Sequence, residues 1–121
     1  MKLIYIAGPM TSRAHIDYNF PKFDAARDFI NGFSNLRAIS PADMDRDLGF
    51  YGKPFGMPDT PNCQRKNIIK RDVDAILECD GMFMLHDWWL STGAQAERKL
   101  AIWYGLYIFY QGSTEKILNE F

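Results

Sequence analysis

Two acids stand out for chemistry in this 121-residue chain, Glu97 and Asp72. Glu97 lies in a stretch, Gly93 to Tyr104, whose apolar spacing predicts a helix, and its neighbours three and four positions away are Gly93, Ala94, Leu100 and Ala101. Asp72 lies in a second predicted helix, Asn62 to Cys79, with Ile68, Ile69, Ala75 and Ile76 at the same offsets. Residues at those offsets share a helix face, where a solvated carboxylate commonly meets Lys or Arg. Both acids instead face small or apolar side chains, where an ionised carboxylate is costly unless it serves a purpose. The same pattern also fits acids at the rim of a core.

Two turns and a tryptophan pair are the other candidates. Gly8-Pro9-Met10-Thr11 follows the first apolar run, and a glycine there lets a ligand approach the backbone. Ser91-Thr92-Gly93 offers hydroxyls and free N–H groups at a helix start, suited to a phosphate or sugar oxygen, or to simple N-capping. Trp88-Trp89 suits either stacking on a nucleobase or packing in an interface, and His86 reads as a satisfied loop histidine. His15, His86, Cys63 and Cys79 make no metal-ligand set at a recognisable spacing, and two cysteines are too few for a disulfide framework. No cofactor is called for. The signatures GxGxxG, GxxxxGK[ST], GxSxG and HExxH are absent, which argues against a dinucleotide oxidoreductase, a nucleoside-triphosphatase, a serine hydrolase and a zinc protease.

The elements that must position these residues follow from periodicity. Leu3 to Ala7 is a continuous apolar run ended by Gly8-Pro9, as in a central strand covered on both faces. Asn19 to Phe33 has helical spacing, with Pro21 in the first turn and Asn19 as a plausible cap. Leu36 to Ile39 reads as a second strand. Residues 43–61, rich in Gly and Pro, show no sustained period and read as a lid or binding loop, or as a surface insertion. The next helix has Ile68, Ile69, Val73, Ile76 and Leu77 as its buried stripe. Met82 to Leu85 is a third strand, His86 to Thr92 a loop, and Gly105 stops the following helix before a fourth strand, Tyr107 to Tyr110. Residues 113–120 fit a short last helix. Strands alternating with helices imply right-handed crossovers and a parallel sheet, here one α/β domain over residues 1–121. Ligands of such sheets bind at the carboxyl ends of the strands, near Ala7–Arg13, after Ile39 and at His86–Thr92.

Composition narrows the partners. With 47% hydrophobic and 24% charged residues the chain is an ordinary globular domain rather than a disordered one. Fourteen Lys+Arg against fifteen Asp+Glu leave a net charge of −1, with no basic footprint for a nucleic-acid polymer or an anionic membrane. The first apolar run is too short for a signal peptide, and the longest apolar stretch, Leu100 to Tyr110, falls short of the ~20 residues of a membrane helix. A cytoplasmic, reduced setting is expected. The aromatic surplus, including Phe50, Tyr51, Phe55, Trp88, Trp89, Trp103, Tyr104 and Phe121, predicts a homodimer or higher homo-oligomer.

Three segments resemble a known family. Tyr5-Ile6-Ala7-Gly8-Pro9-Met10-Thr11, Arg71 to Asp80, and Ser91 to Glu97 followed by Leu100-Ala101 and Gly105 are similar, in order, to segments of small nucleoside 2-deoxyribosyltransferase-like proteins of phages and bacteria, DUF4406-type members among them. The resemblance implies a flavodoxin-like (Rossmann-like) three-layer sandwich with a mainly parallel sheet of four to five strands, acting on N-glycosidic bonds of nucleosides or nucleotides. It makes Glu97 the nucleophile and Asp72 the acid that assists departure of the base. Tyr5 and Gly8 would line the sugar end. Ser91 falls where relatives carry a phosphate-contacting serine or a sugar-contacting aspartate, which favours a nucleotide. Pro9 and Met10 replace a more polar, arginine-containing stretch, leaving Arg13 or Lys53 to supply charge for a phosphate. The 43–61 segment has no counterpart in the family pattern.

The expected chemistry needs both acids. Breaking the bond from C1′ to the base builds oxocarbenium-like charge, which a carboxylate traps covalently before water or a second base resolves the ester. The departing base takes a proton from an acid whose pKa burial has raised. A nucleotide sensor using the same pocket, and a purely structural subunit, are the rivals.

Overall fold

The structure, a computed structural model, describes residues 1–10, 19–51 and 58–121. Its strands are β1 (Lys2–Ala7), β2 (Leu36–Ile39), β3 (Gly81–Met84) and β4 (Tyr107–Tyr110). Its α-helices are α1 (Phe20–Asn31), α2 (Pro41–Asp47), α3 (Arg65–Leu77) and α4 (Thr92–Tyr104). Single turns of 3-10 helix lie at Pro61–Cys63 and Trp88–Leu90, and the expected last helix is a 3-10 segment, Glu115–Glu120.

The sheet runs β2-β1-β3-β4 and every pairing is parallel. This is a flavodoxin-like α/β fold with four strands. From β1 the chain moves outward to β2, then returns to β3 on the other side of β1. The order therefore reverses between β1 and β3, where ligands of such sheets bind.

Residue type explains the central strands. Ile4 to Ala7 and all of β3 are buried, as expected for parallel strands covered on both faces. Alternation along β1 divides its side chains between two cores. Ile4 and Ile6 join Phe83 with Phe23 and Ile30 of α1. Tyr5 and Ala7 join Met82 and Met84 with Ile76 of α3 and Ala94 and Ala101 of α4. The second of these faces carries the two acids.

Three expectations need correction. The stretch 43–61 does not begin as a loop, because Pro41 to Asp47 is a helix whose N-cap Ser40 accepts a hydrogen bond from the Ala42 N–H at 3.2 Å. Seven residues are too few to display a helical stripe, which hid this element. The apolar stripe of α3 is not buried throughout: Ile76 is, while Ile69 is 50% and Leu77 38% exposed. Helix α3 packs on α4 and on the Pro61–Cys63 turn, and of its stripe only Ile76 is buried in the core beside Tyr5. Asn19 does not cap α1 through its side chain; it adopts φ 67° and donates from Nδ2 to the Pro9 carbonyl at 2.8 Å, tying the helix start to the end of β1.

Thr11 and Arg13, and Lys53 and Phe55, lie outside the described residues. Phe50, counted above among the surplus aromatics, is buried edge-on against Phe20. Among the described residues no helix is long and apolar enough to cross a membrane.

Candidate active site

The site is built around the middle of β1. Tyr5 is fully buried, and its hydroxyl donates a hydrogen bond to Glu97 Oε2 at 2.6 Å. The small neighbours of Glu97 explain how α4 comes this close to the sheet. Ala94 and Ala101 are buried one turn to either side, in the same core as Tyr5, Ala7, Met82 and Met84. The helix starts at Ser91, whose hydroxyl accepts from the Ala94 N–H at 3.1 Å, and stops at Gly105, where φ is 97°.

Burial dominates the electrostatics. It pushes the Glu97 carboxyl up to about 8, helped by the charge of Asp72, while the Tyr5 hydrogen bond and Arg71 act in the opposite direction. The Tyr5 hydroxyl is held well above its ordinary value by burial, then by the charges of Glu97 and Asp72. Tyr5 therefore remains a donor over the whole physiological range. Asp72 is also shifted upward, first by burial, with Arg71 pulling it down and Asp45 pushing it up.

Asp72 is held by two groups that helical-face reasoning passed over. Arg71 donates from Nε at 3.0 Å and from Nη2 at 2.8 Å, both to Asp72 Oδ1. Its remaining nitrogen, Nη1, donates to Asp45 Oδ1 at 2.9 Å. Asp45 sits on α2 with 5% exposure, so the helix concealed in the 43–61 stretch reaches the site. Ser40-Pro41, a cap followed by a first-turn proline, was the available signal for α2. For Arg71 the sequence offered only adjacency to Asp72.

The other candidate residues fall into different environments. Gly8 is buried for packing: a Cβ there would come within 2.6 Å of Leu85 Cδ1. Pro9 is buried, and Met10 packs against the α1 face of the sheet, opposite the acids. Ser91 spends its hydroxyl as the α4 cap, and Gly93 is exposed, with room for a side chain. Trp88 packs against the same core as Tyr5, under the Arg98 guanidinium at 5.0 Å and beside Tyr110 at 6.1 Å. Trp89 is half exposed and meets Trp88 edge-on. His86 is exposed, with its ring against Trp89. Among the described residues no group of three or more His, Cys, Asp or Glu is arranged to hold a metal ion. Cys63 and Cys79 are free thiols, and burial pushes Cys79 up to about 12.

The fold and site thus define a flavodoxin-like α/β protein with two interacting carboxyls beneath its switch point. Residues 2–110 match DUF4406, a domain of unknown function, and the chain belongs to that family. No functionally curated protein matches it. A solved structure described as a 2-desoxiribosyltransferase from Leishmania mexicana shares the fold, with a TM-score of 0.62 and 21% identity over 91% of this chain. The match covers 63% of that protein, so the chain spans less than two thirds of its length.

Proposed function

We propose that the protein cleaves the N-glycosidic bond of a (deoxy)nucleoside or its monophosphate, by hydrolysis or transfer, as a single nucleoside 2-deoxyribosyltransferase-like domain. The observation that carries this reading is the buried Tyr5 hydroxyl bonded to Glu97, with the Asp72 carboxyl close enough for its charge to act on Glu97. Glu97, ionised, attacks C1′ as the bond to the base breaks, forming a glycosyl ester. Asp72 gives its proton to the departing base nitrogen. Water or a second base then displaces Glu97 from C1′, and its proton returns to Asp72. Tyr5 holds the attacking carboxylate by a charge-assisted bond. Trp88 and Trp89 hold the base, and Ser91 and Gly93 border the sugar and any phosphate. Of the residues expected there from the sequence, Gly8 and Met10 pack instead against Leu85 and the α1 face, and Pro9 is buried.

The exposed apolar side chains of α3 and α4, Ile69 and Ile102 at 50% and Trp103 at 86%, support self-association. Light scattering at micromolar concentration checks this, and a monomeric mass would refute it. The reaction itself is tested by incubating the protein with a panel of nucleosides, deoxynucleosides and their 5′-monophosphates and measuring free base. Release that disappears in Glu97→Ala is the expected result. Tight binding without release would identify a nucleotide sensor instead.

A further inference from the structure

We infer that Asp45, acting through Arg71, is the positioning residue for Asp72, and that the pair leaves Asp72 Oδ2 as the oxygen that carries the proton. This rests on the reaction proposed above and assigns a role to α2, which no motif marked. Both Arg71 bonds to Asp72 fall on one oxygen, Oδ1. An oxygen already accepting two charge-assisted N–H bonds is a poor place for a proton. Among the described residues no side chain or N–H donates to Oδ2.

Arginine is long and loses considerable rotamer freedom when fixed, so a guanidinium engaged at one end only would turn. Asp45 engages the other end, 26 positions away in sequence, from a buried site. Asp45 is itself well anchored, because ion pairs clamp α2 onto α1. Arg46 binds Asp24 at 2.7 Å, and Arg27 binds Asp43 at 2.7 Å. The geometry is a relay: α1 holds α2, α2 holds Arg71, and Arg71 holds Asp72.

Charge gives the same pair a second consequence. Arg71 alone would favour the carboxylate form of Asp72 and so discharge the acid too early. Asp45 offsets that cation and adds a like charge near Asp72. The other groups acting on the cluster are Tyr5 of β1, Glu97 of α4 and Arg46 of α2.

The test uses the full chain and two variants, Asp45→Asn and Arg71→Gln. Carbon-13 NMR titration of the Asp72 carboxyl, without substrate, is expected to show its midpoint falling in Asp45→Asn and rising in Arg71→Gln. Kinetically, Asp72 must be protonated to act, so the alkaline limb of kcat moves to lower pH in Asp45→Asn and to higher pH in Arg71→Gln. Asp45→Asn should also slow release of an ordinary base about tenfold or more, and slow a substrate with a nitrophenol leaving group much less, since that group departs without a proton. Midpoints that stay put, or move together, in natively folded variants would overturn the inference, as would equal slowing of both substrates. If Asp45→Asn does not fold, Arg71→Lys keeps the charge and loses the fork. It should preserve the titration midpoint better than Arg71→Gln does and still slow the ordinary base. Base release that depends on Glu97 with unmoved Asp72 midpoints would reject this inference alone. Opposite midpoint shifts in a protein that releases no base would reject the proposed reaction and leave the Asp45–Arg71 relay standing.

Discussion

The Tyr5 hydroxyl and Glu97 Oε2 lie 2.6 Å apart, although the two residues are 92 positions apart in sequence. Nothing on α4 itself satisfies that carboxyl; its partner comes from the middle of the first strand. The bond opposes burial, which drives the Glu97 pKa upward, and keeps the ionised form within reach near neutrality.

The first prediction concerns pH. Glu97 must be ionised to attack C1′, so for a substrate whose base leaves easily and needs no proton from Asp72, kcat/KM should rise with pH through about 8, the value to which burial pushes the Glu97 carboxyl. Tyr5→Phe removes the hydrogen bond that favours the carboxylate, so the acid limb should move to still higher pH. Initial rates of base release across pH 5 to 10 in both proteins check this. A limb that stays in place in Tyr5→Phe would separate Tyr5 from the titration.

Glu97→Ala should keep its helix, since alanine is the best helix former, and lose at least ~10³ in kcat, at or above the middle of the ~10²–10⁴ span of acid–base effects. Asp72→Asn should be milder, and mildest for bases that leave easily. Mass spectrometry after incubation with a 2-fluoro-2-deoxynucleoside or its monophosphate should find the sugar on Glu97. An adduct on another residue would remove Glu97 from the mechanism.

Stability should carry the signature of the same carboxyl. A raised folded-state pKa means that the folded protein holds a proton that the unfolded chain has released. The associated stability is complete below the ordinary glutamate value and is lost as pH rises through about 8. Glu97→Gln keeps an acceptor for Tyr5 without the charge, so it should raise Tm at pH 9 and change it little at pH 4. Thermal unfolding followed by circular dichroism at the two values measures the difference.

Gly8→Ala should destabilise the fold by ~1–3 kcal/mol, the usual cost of overpacking, because its methyl would meet Leu85 at 2.6 Å. Denaturant unfolding measures that loss. An unchanged midpoint with weaker substrate binding would show instead that Gly8 serves the ligand.

The two tryptophans should separate. Trp89, half exposed, should on truncation to Ala raise KM more than it lowers kcat, with little change in Tm. Trp88, packed beneath Arg98 and beside Tyr110, should cost stability as well. Kinetics and melting curves on both variants decide the matter. Unaltered turnover and affinity in both would place the pair in packing or an interface.

Much of the fold is legible in the residues taken in order. Continuous apolar runs mark β1 and β3 as central strands, and alternation with helical stretches implies the parallel sheet that is observed. Strand ends at Ile39 and Tyr110 and the stop at Gly105 follow from local turn chemistry, which acts over a few residues and is written in them. The unusual surroundings of Glu97 and Asp72 are legible too, because neighbours on one helix are set by spacing alone. What pairs each acid was not legible. Tyr5 meets Glu97 only because β1 lies beneath α4, and Asp45 meets Arg71 only because α1 holds α2 over the site. Whether Ile69 and Leu77 are buried depends likewise on which elements pack against α3, and whether Gly8 faces a ligand or Leu85 depends on β3 alongside it. Periodicity tells which face of an element is apolar; which element arrives to cover it, and which charge it brings, is settled only when the chain closes on itself.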